Sequence, residues 1–182
     1  YEIKRWDETN LDLDKYKFVQ ESLKAEKYAF ASDVMRTDIL YNHGGIYFDI
    51  DVELLKPIDN LLEHECFMGF ESSKLIAPGL IMGSVAGNKD LAAILDRYKT
   101  LEFDKTNLMN ITVCKVFTDY YAQFGLKQEN TTQKINDTVF YSSEYFSPKN
   151  LTNGKITKTK NTYSIHHYNA SWLSPYAKSQ IK

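Results

Sequence analysis

Between Tyr28 and Leu55 the chain reads YAFASDVMRTDILYNHGGIYFDIDVELL, and this run restricts the fold more than any other stretch. Ala31, Met35 and Ile39 recur at four-residue spacing, which puts them on one stripe of a helix, and Gly44 stands where such a helix would stop. IYF then has strand character, and two aspartates one residue apart follow it, Asp49 and Asp51. Strands disfavour Asp, so a strand broken by a pair of acids must gain something from them.

The same alternation continues along the chain. YEIKRWD predicts a strand already under way at Tyr1, so the natural protein is expected to begin further upstream. Leu13 to about Lys27 predicts a helix, and CFMGFES and LIAPGLIMGS supply two short apolar runs punctuated by Gly and Pro. Asn88–Leu101 and Ile111–Phe124 have helical spacing, the second ended by Gly125. Gln128–Asp137 reads as a polar loop, and TVFYSSEYF and TYSIHHY read as strands. Strands alternating with helices predict a layered α/β fold. With 182 residues, 43% of them hydrophobic, one core and one domain over 1–182 are expected. Ligands of such sheets gather beyond the carboxyl ends of strands, where the aspartates would fall.

A net charge of -2 gives no overall basic surplus and argues against nucleic acid as a partner. Cys66 and Cys114 stand in apolar runs without a second Cys at metal-ligand spacing, so both read as reduced core residues. No apolar stretch approaches the roughly 20 residues of a membrane span, and nothing resembles a signal peptide, so a soluble protein is expected. Asn-x-Ser/Thr triplets begin at Asn110, Asn130, Asn136, Asn150 and Asn169, and an Asn- and Thr-rich composition accounts for them.

Three groups of residues carry chemistry. On a regular strand, residues two apart face the same side, so Asp49 and Asp51 would converge and repel unless a cation lay beside them. Carboxylate oxygens suit Mg2+ or Mn2+, which keep positions open for substrate phosphates; the bland alternative is a solvated strand end. Asp33 and Arg36 are helical neighbours at i and i+3. They read either as an intrahelical ion pair or as an acid and a guanidinium that grip vicinal hydroxyls. HHYNASW, His166 to Trp172, clusters polar and aromatic groups after a strand. In it His167 could ligate the ion or donate to phosphate, and Asn169 and Ser171 could bond phosphate oxygens.

Taken together, FASDVMRTDILYNHGGIYFDIDVELL and HHYNASW resemble the DXD-containing sugar transferases of glycosyltransferase family 32. That group is similar to initiating mannosyltransferases, capsular-polysaccharide transferases and, more distantly, the catalytic domains of clostridial glucosylating toxins. The resemblance implies a GT-A fold, a Rossmann-like nucleotide-diphosphate-sugar domain dependent on Mn2+ or Mg2+. Carried over by position, Asp51 is the implied direct metal ligand, and Asp49 the implied contact of the donor ribose and metal-bound water. Asp33 and Arg36 would hold hydroxyls of the donor sugar with Tyr47 near them. Asn169, Ser171 and Trp172 would complete the metal and diphosphate shell, with His167 as ligand or diphosphate contact. Members of the family open with a strand carrying an Ile-His-x-x-Trp-like segment. This chain starts after that point, so a catalytic domain lacking its first nucleotide-binding strand is expected.

The implied reaction moves a hexosyl group from a UDP- or GDP-sugar to a saccharide or glycolipid acceptor, with retention, in surface polysaccharide synthesis. The expected location is the cytoplasm or the inner face of the membrane, with peripheral association. Two other readings compete. Haloacid-dehalogenase-like phosphatases also place Asp-x-Asp after a strand, but Glu53 stands where that class has Thr or Val. A non-enzymatic metal- or carbohydrate-binding fragment would need a longer run of oxygen ligands than two acids before VELL.

Overall fold

The computed structural model describes residues 1–71 and 75–168. Helix α1 spans Lys17–Lys24 and α2 spans Tyr28–His43; after Gly44 come β1, Gly45–Tyr47, and β2, Val52–Leu54. Strands β3, Cys66–Gly69, and β4, Met82–Ser84, precede helices α3, Lys89–Thr100, and α4, Val113–Ala122. The remaining elements are β5 Gln133–Ile135, β6 Thr138–Tyr141, the single turn α5 Ser143–Phe146, and β7 Ser164–His166.

Helix α2 ends as its sequence dictates. Gly44 takes φ 67°, and its N–H donates to the Leu40 carbonyl at 2.8 Å. A side chain there would be strained by that φ and would also meet the Ala86 nitrogen at 2.9 Å, so glycine alone fits. Asn88 caps α3 by accepting from the N–H groups of Asp90 and Leu91. Asp90, buried in the first turn of α3, accepts from the Tyr120 and Thr138 hydroxyls and the Asn136 amide, which ties α3 to α4 and β6.

The strands form a five-stranded sheet in the order β1-β4-β3-β6-β5, in which β3 and β6 run parallel and the other neighbours antiparallel. β2 and β7 form a separate antiparallel ribbon. The larger core joins α1–α4 to one side of the sheet. Phe18 packs edge-on against Tyr98 and Phe103, and Phe30 likewise against Phe103, with ring centres 5.2 to 5.7 Å apart. A second cluster of Ile58, Leu61, Phe67, Leu80, Ile81 and Phe146 lies under the loop that faces the aspartates.

Three local expectations are corrected. YEIKRWD forms no strand: Ile3 is 95% exposed, and an alternating segment without a pairing neighbour gains nothing from extension. Gln128–Asp137, expected as a loop, contains β5, which folds back on β6 through Asn136 in the left-handed region at φ 52°. The last residues of TVFYSSEYF form α5 rather than continuing the strand. Among the described residues no helix is long and apolar enough to cross a membrane, and Cys66 and Cys114 are free thiols whose burial pushes each up to about 12.

Candidate functional site

The acids lie in the turn between β1 and β2, not on a strand. The Val52 N–H donates to the Asp49 carbonyl at 3.1 Å and closes the turn, and the Asp49 N–H donates to the Gly79 carbonyl at 3.0 Å. Ile50 between them is 101% exposed, while both aspartates are partly buried. An isoleucine in water with two acids turned inward reverses the usual partition, which singles the turn out as a candidate site.

Helix α2 supplies the counter-charge. Arg36 pairs with Asp33 one turn away on the same helix, and its second arm reaches Asp49 Oδ1 at 2.7 Å. The Tyr47 hydroxyl donates to the same Oδ1 at 3.0 Å, and its ring lies 4.7 Å from the Arg36 guanidinium carbon. Both members of the Asp33–Arg36 pair are buried. The intrahelical ion pair therefore forms, and it also braces the acid turn. Burial alone would push the Asp49 carboxyl up, but the His166 hydrogen bond, the Arg36 charge and the Tyr47 hydroxyl outweigh it and hold it below the usual carboxylate range. The stability this contributes is present above the ordinary carboxylate pKa and is lost as pH falls through the lowered one.

The third group is His166. Strand β7 pairs with β2 so that His166 stands opposite Val52, next to Asp51. Its Nε2 lies 3.1 Å from Asp51 Oδ1 and 3.5 Å from Asp49 Oδ2, and its ring packs edge-on against Tyr168 at 4.1 Å. Tyr168 is held in turn by a hydrogen bond between its hydroxyl and Ser147. His166 is only 8% exposed. One ligand atom from each of Asp49, Asp51 and His166 lies within 4.8 Å of the others. Two carboxylate oxygens, one of them on an acid held ionised, and one imidazole nitrogen fit the donor set that Mn2+ or Mg2+ accepts.

His167 is the histidine expected beside the aspartates, but the structure brings its neighbour His166 next to them instead. His167 Nε2 faces Glu53 Oε2 at 3.0 Å, and only its backbone N–H touches the acid turn, donating to the Asp51 carbonyl. Adjacent residues on a strand point to opposite faces, and the β2–β7 register chooses between them. Asn169, Ser171 and Trp172 lie outside the described residues.

Asp33, Arg36, Tyr47, Asp49, Asp51 and His166 all line one cavity of about 570 Å³. Its lining also includes the apolar Phe30, Leu80 and Val113, together with Glu71 and Thr112. Gly79, which the sequence offered only as loop punctuation, forms part of this lining: a Cβ there would come within 2.2 Å of Asp49 Oδ2. Its signal in APGLIMGS was a glycine after proline in an apolar run, which reads as a turn until the opposing aspartate is known.

Residues 3–68 match the family described as glycosyltransferase sugar-binding region containing DXD motif. An uncharacterized glycosyltransferase of Acanthamoeba polyphaga mimivirus is 30% identical over 170 residues, covering 91% of this chain and 62% of the relative. The chain thus spans less than two thirds of that relative's length. No solved structure matches. The matched region contains α2, Asp33, Arg36, Tyr47 and both acids of the turn, so in the part that supplies half of the residues lining this cavity the chain is similar to the sugar-binding region of DXD-containing glycosyltransferases.

Proposed function

We propose that the chain is the donor-binding and catalytic domain of a divalent-metal-dependent glycosyltransferase of GT-A fold and family 32 type. It would transfer a hexosyl group, with retention, from a UDP- or GDP-sugar to a saccharide or glycolipid acceptor in surface polysaccharide synthesis. The observation that carries this reading is the cavity wall on which an Asp-Asp-His cluster adjoins a buried Asp33–Arg36 pair.

Asp49, Asp51 and His166 would hold the ion, which when bound supplies positive charge to the diphosphate as the bond to the anomeric carbon breaks. The chain's own residues do the positioning. Arg36 and Tyr47 fix Asp49 Oδ1 and leave Oδ2 turned toward His166. Asp33 and Arg36 present an acceptor and a donor edge to sugar hydroxyls.

The test is release of nucleoside diphosphate from a panel of UDP- and GDP-sugars, with and without Mn2+. Mn2+-dependent release from one donor supports the reading. Phosphate release from a simple phosphomonoester, with every nucleotide sugar left intact, would assign the aspartates to phosphatase chemistry.

Two substitutions separate the residues around the cluster. His166→Gln is expected to weaken Mn2+ binding about 10- to 100-fold by calorimetry, whereas His167→Gln, which loses only a contact to Glu53, stays within about twofold. The reverse order would restore His167 to the metal. Gly79→Ala pushes Asp49 Oδ2 off its position and is expected to lower the Mn2+-dependent rate about a hundredfold while the fold persists, since misplacing a catalytic group by about 1 Å costs that much. An alanine variant with the wild-type rate would show that the Asp49 position is not critical.

A further inference from the structure

Charge is distributed along this chain in a way its near-neutral total conceals. All 24 acids lie at or before Glu144, alongside 16 Lys and Arg, while residues 145–182 contain six lysines and no acid. The described part of that basic end is a compact surface feature. Lys149 and Ile156 bridge in antiparallel fashion, the Thr157 N–H donates to the Pro148 carbonyl, and the Asn150 N–H donates to the Lys155 carbonyl, so residues 148–157 form a hairpin. Lys155, Lys158 and Lys160 on and after it are exposed. Lys56 Nζ donates to the Lys160 carbonyl at 2.6 Å, which lays the end of β2 alongside this segment.

The same surface exposes Leu151 and Ile156 on the hairpin and Leu54 and Leu55 at the end of β2. Two carboxylates beside this segment have partners other than its lysines: Glu144 accepts from Thr159 and Asn161, and Glu53 faces His167. We infer that this face docks on anionic lipid headgroups, its lysines meeting the phosphates and its leucines and isoleucine entering the interface. Exposed aliphatic side chains among lysines distinguish it from a phosphate-backbone reader, which gains nothing from exposed leucine. Each lysine near an anionic bilayer contributes about 1 kcal/mol, so three are worth about a hundredfold in partition.

The face is continuous with the candidate site. Lys149 Nζ donates to the His167 carbonyl, one residue beyond His166, and the basic segment runs directly into β7. Docking here would hold the β2–β7 ribbon, and with it the acid turn, at a fixed height above the bilayer. The inference stands apart from the metal and the donor, so either can fail alone.

The 182-residue chain is sedimented with phosphatidylcholine vesicles that contain or lack about 30 mol % phosphatidylglycerol, a surface charge that lysines read directly. Partition is expected to be at least about tenfold stronger on the anionic vesicles and to fall steeply between about 0.1 M and about 0.5 M NaCl. The triple variant Lys155→Gln, Lys158→Gln, Lys160→Gln should lose about 10- to 100-fold at an unchanged melting temperature, and Leu151→Ser with Ile156→Ser should lose a further part. Equal partition onto neutral vesicles would overturn the inference, as would undiminished binding of the triple variant. Binding to duplex DNA in the absence of vesicle binding would assign the face to nucleic acid instead.

Discussion

Replacing Asp51 with asparagine is expected to lower Mn2+-dependent hydrolysis of the donor sugar about a thousandfold and to leave the melting temperature within about 2 °C of the parent. Asparagine has the shape of aspartate, and its Oδ1 can still accept from His166, which lies 3.1 Å from that oxygen in the parent. The turn therefore keeps its form. What it loses is one of the two carboxylates that adjoin His166 at the cavity wall. A neutral amide oxygen is a much weaker ligand for a hard dication than a carboxylate. If the substitution leaves the rate at the parent value, Asp51 has no part in the chemistry, whatever its geometry.

Arg36→Ala is expected to act on the fold as well as the site. One guanidinium answers two carboxylates, Asp33 on its own helix and Asp49 across the cavity wall, and it is almost wholly buried. Truncating it leaves Asp33 without its counter-charge inside the protein, a situation that costs about 3–5 kcal/mol. At this chain length that corresponds to a fall of about 10 °C in melting temperature. Arg36→Lys should recover only part, because a point charge cannot span two carboxylates as a planar fork does. Removing Asp33 together with Arg36 should recover more, since one of the stranded charges goes with it. Urea unfolding followed by circular dichroism reads all three, and a loss below about 1 kcal/mol in Arg36→Ala would mean that the pair is solvated rather than buried.

Much of the helical framework was legible because it depends on local signals. The stripe in α2 and the glycine after it, and the helical spacing of α3 and α4, act within a few residues of one another, so sequence spacing describes them well. The strands were less legible in proportion to their dependence on distant partners. YEIKRWD alternates as a strand would yet has no partner among the described residues, and QKI, read as loop, is a strand because β6 lies beside it.

The candidate site shows the same division. Asp33, Arg36, Tyr47, Asp49 and Asp51 lie within one short run, and their convergence follows from a helix, a glycine turn and a strand in succession. The third member of the Asp-Asp-His cluster comes from the far end of the chain. Whether His166 or His167 meets the aspartates depends on a one-residue choice of register between β2 and β7, which neither segment encodes by itself. Gly79 was invisible for a related reason: its importance is a distance to Asp49 across the loop, not a property of its own neighbours.

We propose that Asp49, Asp51 and His166 hold one divalent ion at the wall of this cavity. Anomalous diffraction from crystals of the chain soaked in Mn2+ tests it most directly. The account predicts a single strong peak bounded by the two carboxylates and His166 Nε2, with His167 still turned to Glu53. A manganese peak elsewhere, or aspartates still closed on Arg36 and His166 with no ion between them at saturating Mn2+, would contradict it.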